Sequence, residues 1–435
     1  MYPIVKKKIF LRDTPKETYI IHENNYFQIE KEVIELLNLI NGTNSINDIY
    51  QYFRNKYTKE EINDILNFLK EQNIIEFSKN PNKQKIHIFE DEAYPTSLNI
   101  EVTYNCNMNC EHCMVDYSQK KVNEISFNDI DNILLQMDKL NINVLTITGG
   151  EPLLKKDLVL YTVKKCSEKN IDVTLLTNGF LFDINTIKEL HEAGLNKVQI
   201  SLDSVYEHKH DKIRNKPGSY KKVLSSISNL KKYNVKEVAL SMTITQKNFD
   251  EVPAFIDFCV SNGVLPRIAP IVPIQKGINS NLMLTKKQLV DLYKFTHSTS
   301  DNKISATLVA SKKCSIGSSP VINPCGDIFP CMHMKFNEFK LGNIRNSNLE
   351  KIWTESEILK YLKEITRSNI ENCKDCWNRY LCNNCLGEIY SLTGKLKSNN
   401  PYRCAANKEI TKYIILQGDE YTKNRVLCLI EGDIN

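Results

Sequence analysis

The chain has 435 residues, 57 of them Lys or Arg and 52 Asp or Glu, for a net charge of +5. That length asks for two or three domains rather than one, and a near balance of charge without a dense basic block argues against nucleic-acid binding. No apolar run approaches the roughly 18 residues of a membrane span. The opening "MYPIVKKKIFLRD" lacks the apolar core of a secretion signal, so a cytoplasmic protein with no membrane contact is expected.

Residues 1–77 read as a small α+β module. "KKKIFLR", "ETYIIHE" and "NYFQI" have strand composition and are separated by turn residues. "EKEVIELLNLI" then places Val33, Leu36, Leu37 and Ile40 on one helix face and stops at Asn41-Gly42. Ser45 is placed to cap "INDIYQYFRNKY", and Thr58 to cap "KEEINDILNFLKEQN" with Glu61 in capping-box position. "IIEF" closes the module. Three strands followed by three helices is a winged-helix-like order. A DNA-binding head shares that order, but the near balance of charge in residues 1–77 argues against it. "ETYIIHE" is a possible open sheet edge.

Residues 78–96 are a polar linker. From residue 97 to 305, strands and helices alternate through six βα-type repeats, from "LNIEVTY" to "PRIAPIV". That pattern predicts an α/β fold, a parallel sheet closed into a partial (β/α)6 barrel. Chemistry in such barrels gathers at the C-terminal ends of the strands. From 306 to 435 helical periodicity fades while cysteine, glycine and proline rise. Such a segment is expected to bury little apolar core and to need metal staples.

Fourteen cysteines are many for a reducing compartment, so metal ligation is their leading use. Cys166, Cys259 and Cys428 stand apart and read as small buried apolar residues. Cys106, Cys110 and Cys113 form C-x3-C-x2-C directly after the first barrel strand. Three thiolates on a short loop suit three irons of a [4Fe–4S] cluster, leaving the fourth iron for a small molecule. A structural zinc site wants four protein ligands. The local candidate, His112, lies between two of the cysteines, where its ring tends to point away. The second strand ends in "TGGEP", whose Gly149 and Gly150 permit close backbone approach to a ligand and amide donation.

Together, C-x3-C-x2-C after strand one and Gly-Gly-Glu-Pro after strand two resemble the radical S-adenosylmethionine (radical SAM) superfamily. The resemblance implies that Cys106, Cys110 and Cys113 ligate the catalytic cluster. Gly149, Gly150 and Glu151 then lie near the methionine end of SAM, and His112 against its adenine. Thr177 and Asn178 of "LLTNG", with Ser201 and Asp203 of "ISLDS", suit ribose and amino-acid recognition. Arg214 of "HDKIRNKPGSY" matches an arginine that meets the SAM carboxylate, which a guanidinium fork fits.

The C-terminal cysteines read C-x11-G-x4-C over Cys314, Gly326 and Cys331, then C-x2-C-x5-C-x2-C over Cys373, Cys376, Cys382 and Cys385, followed by Cys404. This is similar to the SPASM extension of peptide-modifying radical SAM enzymes, with two auxiliary [4Fe–4S] clusters. The more frequent last spacing there is x3. By that likeness Cys373, Cys376, Cys382 and Cys404 hold an outer cluster, and Cys314, Cys331 and Cys385 an inner one. The inner cluster's fourth ligand is Cys325, or its position is open. A zinc ribbon is the competing use of two C-x2-C pairs.

Residues 1–77 resemble, by element order alone, the peptide-recognition element of ribosomal-peptide maturases, which binds a leader peptide as an added strand. The three resemblances imply a maturase of sactipeptide type. An electron from the loop cluster, supplied by flavodoxin or ferredoxin, cleaves SAM to methionine and a 5′-deoxyadenosyl radical. The radical takes hydrogen from the peptide, and a cysteine sulfur of the peptide bonds to that carbon. Alternatives are a carbon–carbon crosslink or another peptide modification and, more distantly, a non-catalytic iron–sulfur or zinc regulator.

Overall fold

The computed structural model describes residues 1–5, 9–13, 18–22, 25–29, 31–72, 74–81, 88–90, 95, 97–115, 123–140, 142–298, 314, 316–379, 382 and 384–417. Cys428, expected to be buried, lies outside them. The chain divides into two compact units, Met1–Tyr94 and Pro95–Asn435.

In the first unit, β1 (Tyr2–Val5) pairs antiparallel with β5 (Ile75–Ser78). A separate four-stranded sheet has the order β4 (Asn25–Ile29), β3 (Thr18–His22), β2 (Ile9–Asp13), β6 (Ile88–Glu90). Helices α1 (Lys31–Leu39), α2 (Ile46–Phe53) and α3 (Lys59–Glu71) follow β4. The expected caps form: Ser45 Oγ accepts from Asp48 N–H at 3.2 Å, and Thr58 Oγ1 from Glu61 N–H at 3.2 Å. Periodic apolar residues from the three helices, Leu37, Ile40, Ile49, Phe53, Ile62, Leu66 and Leu69, close one core with Ile74 and Ile75. Two expectations change. The polar linker is not all linker, because Ile88–Glu90 joins the sheet parallel to β2. "ETYIIHE" is not an edge, because β3 has neighbours on both sides. Among the described residues the edges are β4 and β6.

The second unit is built on a nine-stranded sheet. Its parallel part runs in chain order: β7 (Leu98–Glu101), β8 (Val144–Thr148), β9 (Asp172–Thr177), β10 (Lys197–Ser201), β11 (Glu237–Ile244) and β12 (Leu265–Pro270). Between them lie α4 (Phe127–Lys139), α5 (Lys156–Glu168), α6 (Ile184–Glu192), α7 (Glu207–Arg214), α8 (Ser219–Lys232) and α9 (Val252–Ser261). Strand alternation divides the two faces. Leu145, Ile147, Leu175, Val198 and Ile200 are buried. Thr146, Thr148, Thr174, Gln199 and Ser201 stay half-exposed on the opposite face. Helix α7 was not anticipated. It ends at Asn215, whose left-handed conformation Asn tolerates.

The cysteine-rich segment departs from expectation in two ways. It continues the barrel sheet: β13 (Val321–Ile322) pairs parallel with β7, and β14 (Asp327–Phe329) and β15 (Gly342–Asn343) add antiparallel strands. The boundary expected at 305/306 therefore falls inside one compact unit. The segment also has its own apolar core, in which Ile316, Met334, Leu362, Ile365, Ile370, Leu386 and Ile389 are buried. This core is supplied by α12 (Glu357–Glu364), α14 (Leu386–Thr393) and the loops around them, following α10 (Lys286–Ser298) and α11 (Leu349–Glu355) in the chain. Helix α13 (Glu371–Lys374) carries Cys373, and α15 (Cys404–Gln417) packs on α10, where Lys286 Nζ lies 2.6 Å from Glu409. Among the described residues no helix is long and apolar enough to cross a membrane.

Candidate functional site

The loop after β7 meets the turn after β8 through backbone. Gly150 N–H donates to Thr103 O and Glu151 N–H to Asn105 O, both at 2.8 Å. A Cβ on Gly150 would stand 2.3 Å from Asn105 O, so only glycine permits this approach. The Gly150 and Glu151 amides thus hold the cysteine loop. Glu124, missed in the sequence, braces the same junction. Its carboxylate accepts from Thr103 Oγ1 at 2.7 Å and Tyr104 N–H at 3.0 Å and pairs with Lys155 at 3.1 Å.

Cys106, Cys110 and Cys113 come together on that loop, close enough to act on one another electrostatically. Burial, the largest cause, pushes the Cys106 thiol up to about 11, with the nearby Glu151 and the two other thiols adding to it. Cys110 is raised by burial too, and the Arg214 guanidinium opposes this. Polar side chains reach these sulfurs: Arg214 Nη1 lies 3.6 Å from Cys110 Sγ, Asn178 Nδ2 lies 3.8 Å from Cys106 Sγ, and Cys106 Sγ donates to Asn107 Oδ1 at 3.9 Å. Lys276, from the segment after β12, donates to Asn109 Oδ1 at 2.6 Å and Cys110 O at 3.2 Å.

The remaining predicted residues form a braced layer around the loop. Glu151 is fully buried and accepts from Thr177 Oγ1 at 2.8 Å, Asn178 N–H at 2.8 Å and Leu153 N–H at 3.0 Å. Its carboxylate and the Thr177 hydroxyl are thus bonded to each other. Asp203 is also fully buried. It lies 2.6 Å from Arg214 Nε as an ion pair, 3.6 Å from His112 Nε2, and accepts from Thr243 N–H at 3.0 Å. It positions Arg214 and His112 instead of facing outward. Burial lowers the pKa of His112, against the pull of Asp203. Ser201, half-exposed at the end of β10, is not drawn into this network by any hydrogen bond among the described residues.

His210, on α7, was not singled out in the sequence. It is fully buried, and its Nδ1 accepts the Asp203 N–H at 3.1 Å. Burial, with Arg214 beside it, depresses its pKa from 6.5 to about 4. The unfolded chain then binds a proton that the native chain refuses, so stability is fully present above pH 6.5 and is lost as pH falls toward 4. The shift corresponds to about 3 kcal/mol. His210→Asn keeps an acceptor without the titration and is expected to flatten this loss. Unfolding midpoints measured from pH 7 to 4 check it, and equal pH slopes in both proteins would refute it.

The C-terminal thiols separate into two groups. Cys314, Cys331 and Cys385 act on one another, as do Cys373, Cys376, Cys382 and Cys404. Burial dominates in both, pushing Cys331 up to about 12 and Cys385 to about 11. Cys325 does not join the first group. Its Sγ lies 3.8 Å from Tyr104 Oη, and after burial its thiol is influenced most by Tyr104, Asp327, Arg345 and Lys340. His333, missed in the sequence, also sits at the first group, with Nδ1 3.4 Å from Cys385 Sγ. None of the described cysteines is in a disulfide. Groups of three or four thiols, Cys110 and Cys373 buried and the others half-buried, fit iron–sulfur ligation by cysteine.

The radical SAM superfamily model matches residues 100–259, and the SPASM model, described as an iron–sulfur cluster-binding domain, matches residues 314–377. A GTP 3′,8-cyclase of Clostridium acetobutylicum is 30% identical over 260 residues, covering 54% of this chain and 80% of that protein. The mycofactocin maturase MftC of Mycolicibacterium smegmatis is 25% identical over 287 residues, 62% of this chain and 73% of the relative. Among solved structures, Streptococcus suis SuiB bound to precursor peptide SuiA superposes with a TM-score of 0.66 at 17% identity, covering 92% of this chain and 99% of SuiB. The chain belongs to the radical SAM superfamily. It is a radical SAM enzyme with a SPASM domain, and it uses S-adenosylmethionine and [4Fe–4S] clusters.

Proposed function

We propose that the enzyme modifies a ribosomally made precursor peptide and installs thioether crosslinks from a cysteine sulfur to carbon. The observation that carries this reading is the grouping of the cysteines: of the eleven that remain when the isolated three are set aside, all but Cys325 fall into sets of three, three and four, with the separate sheet-edged unit of residues 1–94 beside them in the chain. MftC is named a maturase, and SuiB was solved with a precursor peptide; both support a peptide substrate here.

In this reading Cys106, Cys110 and Cys113 hold the catalytic cluster, Cys314, Cys331 and Cys385 an inner one, and Cys373, Cys376, Cys382 and Cys404 an outer one. When bound, the catalytic cluster supplies the electron that cleaves SAM to methionine and a 5′-deoxyadenosyl radical. Asp203 holds the Arg214 guanidinium beside Cys110, and Glu151 holds the end of β9 so that Asn178 stands beside Cys106. Arg214, His112, Asn178, Ser201 and the carbonyls at Gly149 and Gly150 then frame SAM. Flavodoxin or ferredoxin is the expected electron donor. In the first unit, the open edge of β4 takes the leader peptide as an added strand.

Coexpression with a candidate precursor tests the reading. The expected product is lighter by two hydrogens per bond and has lost one alkylatable thiol per bond. Loss of two hydrogens with every thiol still alkylatable would replace the thioether by a carbon–carbon crosslink. An unmodified precursor in the presence of active SAM cleavage would overturn it.

A further inference from the structure

The turn between α12 and α13 carries a buried cation that none of the roles above uses. Arg367 is 8% exposed and lies between the buried Ile365 and Ile370 in the apolar core of the C-terminal segment. The turn is fixed by its own polar groups: Asn369 Oδ1 accepts from Thr366 N–H at 3.0 Å, and Asn369 Nδ2 donates to Glu364 O at 2.8 Å. One small cleft is lined by Arg367 together with Cys314, Cys373 and Asn384. Cys314 belongs to one thiol group and Cys373 to the other, so the guanidinium stands where the two groups approach each other.

We propose that Arg367 is a shared redox-tuning residue, one fixed positive charge that sets the reduction potentials of both auxiliary clusters together. This rests on the reading that the two C-terminal thiol groups each hold a [4Fe–4S] cluster. Three features support it. Arg367 donates a hydrogen bond to Cys382 of the outer group. One cleft brings Arg367 together with Cys373 of the outer group and Cys314 of the inner one. Arginine keeps its charge at any working pH, so the effect is permanent.

Reduction adds one electron to a cluster and changes no ligand, so each cluster becomes one charge more negative. A buried cation stabilises that state, and net charge and hydrogen bonds to sulfur are established controls of cluster potential. Acting on both groups at once, Arg367 shifts both potentials in the same direction. The loop cysteines feel other groups most strongly, namely Glu151, Arg214 and Asp203, and so provide an internal reference.

The test is a spectroscopically monitored redox titration of the reconstituted full-length enzyme, with iron, sulfide and zinc analysis. Arg367→Gln is expected to move both auxiliary clusters to more negative potential and leave the catalytic cluster in place. About a tenfold fall in the reduced-to-oxidised ratio at fixed poise is expected, which is 59 mV for a one-electron couple. If R367Q loses iron, Arg367→Lys carries the test. Lysine keeps the charge but not the fork, so the inner potential holds while the outer one, bonded through Cys382, falls. With all clusters retained, movement of neither or only one auxiliary potential in R367Q overturns the proposal, as does failure of that pattern in R367K. Zinc in place of iron in the wild-type C-terminal groups overturns both the proposal and the reading beneath it.

Discussion

Replacing Cys106, Cys110 and Cys113 together by alanine is expected to reduce 5′-deoxyadenosine formation to background while the protein still folds. Each substitution removes an anionic ligand from the one thiol group that stands beside Arg214 and Asn178. The loop itself is held by other means, through the Gly150 and Glu151 amides and through Glu124, none of which involves a sulfur. Folding and the two C-terminal clusters should therefore survive, with iron falling from about twelve to about eight per chain if each group holds a cubane. Cys373→Ala and Cys404→Ala should act differently. They lie in the outer group and should impair peptide modification or the local fold more than SAM cleavage. Retained 5′-deoxyadenosine formation in the triple variant would rule out the assignment of the loop.

Deleting residues 1–94 is expected to abolish efficient peptide modification at low precursor concentration yet leave SAM cleavage without substrate intact. All the groups that frame the loop lie after Pro95, within one compact unit. The cut belongs at 94 and not at 77, because β6 forms part of the first unit's sheet and would otherwise be left unpaired. A bound leader converts capture of the core peptide into an intramolecular event, with an effective concentration that reaches about millimolar for short flexible tethers. Very high precursor concentration should accordingly restore part of the turnover. A narrower version places proline at Phe27 or Gln28 on β4. Amides along an edge strand alternate between inward and outward, so one of the two substitutions removes an outward donor. Unchanged leader affinity and unchanged modification at low precursor would eliminate the recognition role.

The loop cysteines, the Gly-Gly-Glu-Pro turn and the order of βα repeats were legible in the sequence because each depends on short-range spacing. A three-residue gap fixes which thiols share a loop. A period of two or 3.6 fixes which side chains are buried, and a Ser or Thr before a helix fixes its start. Ser45, Thr58, Ile40 and Leu37 behave as that local chemistry requires. Other features depend on residues far apart in the chain. Cys325 has suitable spacing for the inner group, yet β13 and β14 carry it toward Tyr104, 221 positions away. Glu151, Thr177 and Asp203 sit at strand ends as expected, but close packing turns Thr177 onto Glu151 and Asp203 onto Arg214 and His112. A buried carboxylate must find donors, and the nearest ones belong to the protein. Glu124, His210, His333 and Arg367 carried no local signature at all. Their roles arise only where separate segments bury them beside the thiols and their supports. The sequence by itself determined the chemistry available to this protein. The tertiary structure decided which polar groups are consumed in holding the site, because desolvation acts on the assembled neighbourhood and not on the neighbours in the chain.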